Sequence, residues 1–450
     1  MDYLGLFPVF YVPDVGSAWL MGLTGTIHIM ASHTSVGAAM LFAFLAYKAY
    51  KEDRDDLYDY MKRYGMFLLI FSYVIGSITG PGIWYTATAA SPRGISALIH
   101  NFVWVWATEW VFFIYEVIAV FALVYFIGKI DKKTHLKLTL TFAIASVGTL
   151  ALIIGIISFM MWPGNDAFYN TGSASDAFFG INTFPHMFLR IGFMIMMSGV
   201  IGLIISSAMK RENVELSNEL TRKMGFVGLL GGFIALFFFM WYISTLPANA
   251  EAVLGLTLDS IVLNRIILAI LFSLYFFLAI LKPQWIGKYL AVIMMFVIGI
   301  VGVWPGEKLR ESMRKPYVAG QYIYSNQIIS RDVPGKGVKS EVEVVAAKGL
   351  LGVDPWVPDR LRTITPENKL EVGEYLTKRA CSNCHSLEKG GKYRSMVMLI
   401  ETKLPGTDKE TIKNYMHVIG TGAIPYMPKI ALPDEEYDAM AEWIAAQVNN

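Results

Sequence analysis

Lys288–Tyr317 reads KYLAVIMMFVIGIVGVWPGEKLRESMRKPY, and the fold turns on this stretch. It is apolar up to Trp304, and from Pro305 onward charged residues return at the density of a soluble segment. The chain of 450 residues therefore divides at about residue 305. Before the division lie eight apolar runs, at about 19–49, 62–90, 97–128, 136–161, 184–209, 224–246, 261–281 and 287–304. Each is long enough, at about 1.5 Å per residue, to cross roughly 30 Å of hydrocarbon. Composition agrees: 55% of residues are hydrophobic and 16% charged, against about 25% charged in soluble chains. The expected fold is all-α, an eight-helix transmembrane bundle over residues 1–312, a connector over 313–365 and a small all-α domain over 366–450. The 38 Lys and Arg against 36 Asp and Glu leave a net charge of +2, which excludes a nucleic-acid partner and a polybasic membrane footprint.

Loop charges orient the bundle. Lys51, Arg54, Lys62 and Arg63 stand between the first two runs, Lys129, Lys132, Lys133 and Lys137 between the third and fourth, and Lys210, Arg211, Arg222 and Lys223 between the fifth and sixth. Lys282 and Lys288 follow the seventh, while the intervening loops carry only Arg93. The positive-inside rule makes the basic loops cytoplasmic. The N-terminus and everything past the eighth run are then on the outer, periplasmic side of a bacterial inner membrane. No basic segment precedes the first run, which is too long and too His-rich for a removable signal.

Two cysteines exclude a disulfide scaffold, and they sit together in Cys381-Ser382-Asn383-Cys384-His385. In C-x-x-C-H two thiols attach one heme covalently and the following imidazole takes the proximal iron position. A helical pattern at Glu367–Arg379 leads into the motif, and a second at Pro433–Val448, with Trp443 on its apolar face, closes the chain. Between them Ile424-Pro425-Tyr426-Met427-Pro428 presents a Pro-framed Met 42 residues after His385, suited to the distal iron position. Residues 366–450 resemble a class I cytochrome c domain. The connector carries Tyr- and Val-rich pieces and the turn signal Pro334–Gly337, so it reads as ordered.

Four of the seven histidines, His28, His33, His100 and His186, lie in apolar runs. Ionisable groups inside a bilayer are costly and mark pathways or cofactors. With the orientation above, all four fall in the outer half of the membrane, the face that carries the covalent heme. His28 and His33 are five residues apart, roughly 140° around a helix, so they serve different sites. His28 and His186 are the stronger heme-ligand candidates; for His33 and His100 helix-to-helix hydrogen bonding is the alternative. Glu109 and Glu116 are seven residues apart, about 20° off alignment and roughly 10 Å in depth, a carboxyl ladder suited to proton movement. The alternative pairs them with Arg190 or Arg265.

Leu23-Thr24-Gly25-Thr26-Ile27-His28, Phe112-Phe113-Ile114-Tyr115-Glu116, Pro185-His186-Met187-Phe188 and Glu311-Ser312-Met313-Arg314-Lys315-Pro316-Tyr317 resemble signatures of subunit I of the cytochrome bd quinol oxidases, over residues 15–317. The resemblance implies that His28 ligates a heme of the active-site pair, that Glu311 ligates a second heme and that His186 holds a low-spin b heme. It implies Glu109 and Glu116 in the proton path, quinol as electron partner, and a second membrane subunit. The chain departs from the family in three ways. The Met expected two residues after Arg265 is Ile267, which leaves His100 as the candidate to complete the His186 heme. The quinol loop shrinks to Pro247–Leu258, where Glu251, with Arg265 behind it, is what remains of the quinol region. A cytochrome c domain replaces the ninth helix.

Two functions follow as expectations. In one, two or three b hemes and one covalent c heme carry electrons between the quinol/quinone pool and a periplasmic protein acceptor. In the other, the chain is a terminal oxidase that reduces O2 at a b heme, or at a heme d in its place, with the c heme feeding it. Six-coordinate bis-His iron favours the first; retained Glu311, Glu109 and Glu116 favour the second. A Met-ligated c heme lies above bis-His b hemes in potential, so the expected flow is from b to c.

Overall fold

The computed structural model describes residues 3–449, with backbone alone over 257–262. Met1, Asp2 and Asn450, the outermost residues of the first and last expected domains, and Leu258 of the shortened quinol loop lie outside the described side chains. Among the described residues eight helices are long and apolar enough to cross a membrane: α1 (Ser17–Glu52), α2 (Asp56–Ala90), α3 (Pro92–Phe126), α4 (Lys132–Met161), α5 (Thr183–Arg211), α6 (Val214–Ile243), α7 (Ala248–Leu281) and α8 (Lys288–Met313). The chain is a multi-pass membrane protein.

Close backbone contacts fix the heights of these helices. A Cβ on Gly37 of α1 would stand 2.0 Å from the carbonyl oxygen of Met194 in α5, and one on Gly199 would stand 2.5 Å from the backbone nitrogen of Gly228 in α6. Small residues let membrane helices approach backbone to backbone. Gly37 and Met194 thus lock α1 to α5, and one turn back along each helix stand His33 and Arg190.

The structure changes two expectations about helix ends. The eighth helix does not stop at Trp304 but runs to Met313. Proline lacks an N–H and crowds the carbonyl four residues earlier, which for Pro305 is that of Val301. The helix widens into a π segment at Ile298–Val303, and Arg265 of α7 donates from Nη1 to the Val301 carbonyl at 3.1 Å. The quinol-loop segment Pro247–Leu258 is not a loop, because α7 is helical from Ala248. His135 is buried in the first turn of α4 with its ring 4.9 Å from that of Tyr58.

Beyond α8 a two-stranded antiparallel hairpin, β1 (Tyr317–Ala319) and β2 (Ile323–Tyr324), precedes α9 (Val342–Val353). Pro334–Lys336 forms a short 3₁₀ turn ended by Gly337 at φ 64°. Then come α10 (Lys369–Cys381), α11 (Met396–Lys403), α12 (Lys409–Thr421) and α13 (Asp434–Asn449). The connector is not a separate layer. One apolar core joins Leu6, Tyr324, Ile328, Val345, Leu350 and Leu361 to Val372, Leu376, Val397, Tyr437 and Ile444, with Trp443 packed against it. Asp354 and Arg379 form a fully buried pair at 2.6 Å across the boundary at residue 365. Glu436 of α13 accepts from the backbone N–H groups of Leu350 (2.9 Å) and Leu351 (3.0 Å). Gly349 is required there: it has φ 70°, and a Cβ would strike the Glu436 carboxylate at 2.0 Å.

The N-terminal segment before α1 straps this region to the bundle. The Leu4 N–H donates to the Val353 carbonyl, Arg379 donates to the Phe7 carbonyl, Tyr11 donates to Glu388, and the Lys392 N–H donates to the Asp14 carbonyl. The first membrane helix and the last domain are thereby tied at one end of the bundle.

Candidate heme-binding sites

Cys381 ends α10, and both cysteines are free thiols. Burial, then the neighbouring Cys384, pushes the Cys381 thiol up to about 12. His385 is held by its Nδ1–H, which donates to the Arg394 carbonyl at 2.8 Å. Arg394 takes φ 47°, a left-handed conformation uncommon for a residue with a side chain. Burial pulls the His385 imidazole down to about 4, so Nε2 carries a free lone pair at neutral pH. Two thiols and an imidazole fixed through its other nitrogen fit a covalent heme. Met427 sits half-buried in the turn closed by its N–H to the Ile424 carbonyl (3.1 Å). Its neighbour Tyr426 packs against a bundle cluster containing Leu189, Tyr242 and Met313, so this loop faces the membrane helices.

In the bundle, His28 and His33 point to different neighbours, as their spacing requires. The Thr79 hydroxyl donates to the Ile75 carbonyl at 2.8 Å, so His28 Nδ1 donates to Thr79 Oγ at 3.1 Å, and Nε2 makes no hydrogen bond among the described residues. His28 fits a heme ligand. His186 donates from Nδ1 to Ser158 (3.1 Å), stacks at 5.1 Å on Tyr242, and accepts from Arg190 Nε at 3.2 Å. Its Nε2 is therefore capped by a guanidinium. The other side of Arg190 reaches His33 Nε2 (3.4 Å) and Glu307 (2.7 Å), and Glu307 also accepts from Arg310 (2.8 Å).

His100 does not adjoin His186. It is exposed on α3, bonded within its own helix to the Ser96 carbonyl at 2.7 Å, while Phe102 carries the contact of that helix with Phe159 of α4. The imidazole that shares a partner with His186 is His33. Glu116 is buried and accepts from Ser35 and Tyr73, both at 2.8 Å. Glu109 is half-buried and makes no ion pair among the described residues. The alternative pairing of these carboxyls with Arg190 or Arg265 does not occur, since Arg190 is held by Glu307 and Arg265 by Val301. Glu251 is exposed in the first turn of α7. Glu311 is ion-paired to Arg314 (2.5 Å) and Lys315 (3.1 Å).

Sequence reasoning missed Glu307, Arg310 and the role of Arg190. The signal was available: Glu307, Arg310, Glu311 and Arg314 recur at three- and four-residue spacing on one helix, and Arg190 follows His186 by one turn.

A C-x-x-C-H site strapped to a bundle with buried imidazoles defines a membrane-spanning cytochrome. Residues 368–444 match the family described as "Cytochrome C oxidase, cbb3-type, subunit III", so the C-terminal region carries a c-type cytochrome domain. Over the membrane helices the chain shares the fold of the bd oxidase from Geobacillus thermodenitrificans, with TM-score 0.55 and 14% identity, covering 73% of this chain and 91% of that one. No curated protein sequence matches the chain.

Proposed function

We propose that the chain carries electrons between the quinol/quinone pool and a periplasmic acceptor, with b hemes near the outer face of the bundle and one c heme beyond it. The observation that carries this reading is that the C-x-x-C-H domain packs on the end of the bundle that holds the imidazoles: Tyr426, beside Met427, lies against the cluster of Leu189 and Tyr242, and the ion pairs Lys315–Glu311, Arg310–Glu307 and Arg190–Glu307 lie beside His186 and His33. Both kinds of candidate ligand meet at one end of the bundle. When bound, the hemes supply one-electron steps.

The residues of the chain fix and separate these sites. Arg394 orients His385, Thr79 orients His28, and Ser158 orients His186. His33 replaces His100 as the candidate partner of His186. Glu116, held by Ser35 and Tyr73, is placed to hold a proton in the bundle, with Glu109 about two turns nearer the outer face. The basic loops support a periplasmic C-terminal domain, and the exposed apolar helix faces suit lipid and a second membrane subunit.

Terminal oxidase activity is the second reading, favoured by His28, which unlike the exposed His100 is half-buried between helices and whose Nε2 makes no hydrogen bond among the described residues. A carbon monoxide difference spectrum of the reduced protein separates the two. A spectrum without a high-spin b or d heme fits electron transfer alone, and a high-spin signal with O2 consumption establishes the oxidase. A redox titration placing the c heme below the b hemes would reverse the direction of flow.

A further inference from the structure

Between the C-terminal domain and the bundle lies a cluster of four cations, Arg190, Arg310, Arg314 and Lys315, and two carboxylates, Glu307 and Glu311. Arg190, Arg314 and Lys315 are 6%, 4% and 3% exposed. Removing an excess of positive charge from water is expensive unless anions complete it. Arg314 shows where completion is lacking. Its Nη2 donates to Glu311, but Nε and Nη1 are buried with no acceptor among the described residues. The hydroxyl of Tyr393, 5% exposed, is likewise without a partner. Tyr393 and Lys315 lie within electrostatic reach of one another and of Cys384, and Lys315 also acts on His385. Burial draws the Lys315 ammonium down, but Glu311 overrides it and holds the group above its ordinary value, so it is charged.

We propose that Arg314, Lys315 and the Tyr393 hydroxyl form a seat for the carboxylate side chains of a heme, contributed mainly by the segment that leaves the end of α8. The covalent heme at Cys381 and Cys384 is the occupant the geometry favours, because the Tyr393 carbonyl accepts from the N–H of Ser386, the residue after His385, at 2.8 Å, and Lys315 lies within electrostatic reach of Cys384 and His385. The proposal rests on the reading of C-x-x-C-H as a covalent heme site. Two carboxylates would balance the excess charge, satisfy the free nitrogens of Arg314, and pin the C-terminal domain to the end of α8. Cations beside a heme favour its reduced form, so the seat raises the potential of the c heme. Lys315 and Arg314 are positioning residues that act through the propionates.

The test is a redox titration of the full-length protein in detergent, following the c and b absorption bands separately in Lys315→Gln, Arg314→Gln and Tyr393→Phe. In the lysine and arginine variants the c heme is expected to shift toward the oxidised form by up to tenfold at fixed potential, about 59 mV for one electron. Tyr393→Phe should give a smaller shift in the same direction, and Lys315→Arg should stay near the parent value. If the b bands move and the c band does not, the seat holds carboxylates of a b heme. If neither moves in Tyr393→Phe and Lys315→Gln while both retain covalent heme, the proposal is overturned. Heme staining of the parent chain on a denaturing gel tests the underlying reading separately, because a chain without covalent heme fails there before any potential is measured.

Discussion

His385 and His186 are both buried imidazoles, yet the two regions that hold them are built in opposite ways. Around His385 everything needed is local: two thiols within four residues, and a carbonyl nine residues on that fixes Nδ1. Around His186 the partners come from four helices: Ser158 on α4, Tyr242 on α6, Glu307 on α8 and His33 on α1, with Arg190 at the centre. A covalently attached cofactor needs only a short motif and a fold to bury it. A site held between membrane helices needs the helices at the right heights, which here the Gly37–Met194 contact supplies.

The sharpest way to break this comparison is to remove the local site. Cys381→Ala with Cys384→Ala is expected to abolish covalent heme altogether, read as loss of heme staining on a denaturing gel, while b-type absorbance remains. A stained band that persists would mean the motif is not the attachment point. The dispersed site comes next. His186→Ala should remove one b heme from the extracted pyridine hemochrome and leave the covalent heme in place. Full b-heme content in that variant would take His186 out of the ligand set.

The buried pair between connector and C-terminal domain gives an effect on stability. Arg379→Met leaves the Asp354 carboxylate uncompensated in a fully buried position, and breaking such a pair by removing one partner costs about 3–5 kcal/mol. Thermal unfolding followed at the c band should show that loss, with the b bands unchanged. Equal loss at both bands would mean that the two regions unfold as one unit.

What was legible in the sequence follows the same division. The eight spans could be read because each apolar run is long enough by itself, and the heme motif because its residues are adjacent. The end of α8 was misplaced because Pro305 stops a helix only when the freed carbonyl has no partner, and Arg265, 36 residues away, provides one. The same bond gives Arg265 a structural task where a quinol contact was expected. His100 drew attention as an intramembrane histidine beside a vacancy in the ligand set. Sequence periodicity says nothing of helix rotation, which Phe102 against Phe159 sets so that His100 turns outward. Glu307 was passed over because its meaning depends on Arg190, 117 residues earlier.

A smaller effect tests whether the C-terminal core responds to pH through one carboxyl. Burial raises Glu436 from 4.5 to about 7, against the lowering effect of the two backbone N–H groups it accepts from. Between those values the folded chain binds more protons than the unfolded one, so stability falls as pH rises through the window and levels off above it. At about 1.4 kcal/mol per pH unit the loss is at most about 3.5 kcal/mol. Glu436→Gln should flatten the dependence of the c-band melting temperature between pH 4.5 and 7. An unchanged slope would assign the dependence to other groups.

The smallest expected effect bears most directly on the comparison. His100→Ala should leave b-heme content, spectrum and potentials as they are, because His100 is exposed and hydrogen-bonded only within its own helix among the described residues. His33→Ala, by contrast, removes the buried imidazole that shares Arg190 with His186, and should change the low-spin b spectrum. If His100→Ala alters that spectrum and His33→Ala does not, α3 must rotate when the bundle takes up its heme, and the dispersed site is assembled by its cofactor. If the reverse holds, the helix contacts set the site before any heme arrives, and the two regions differ only in where their ligands come from along the chain.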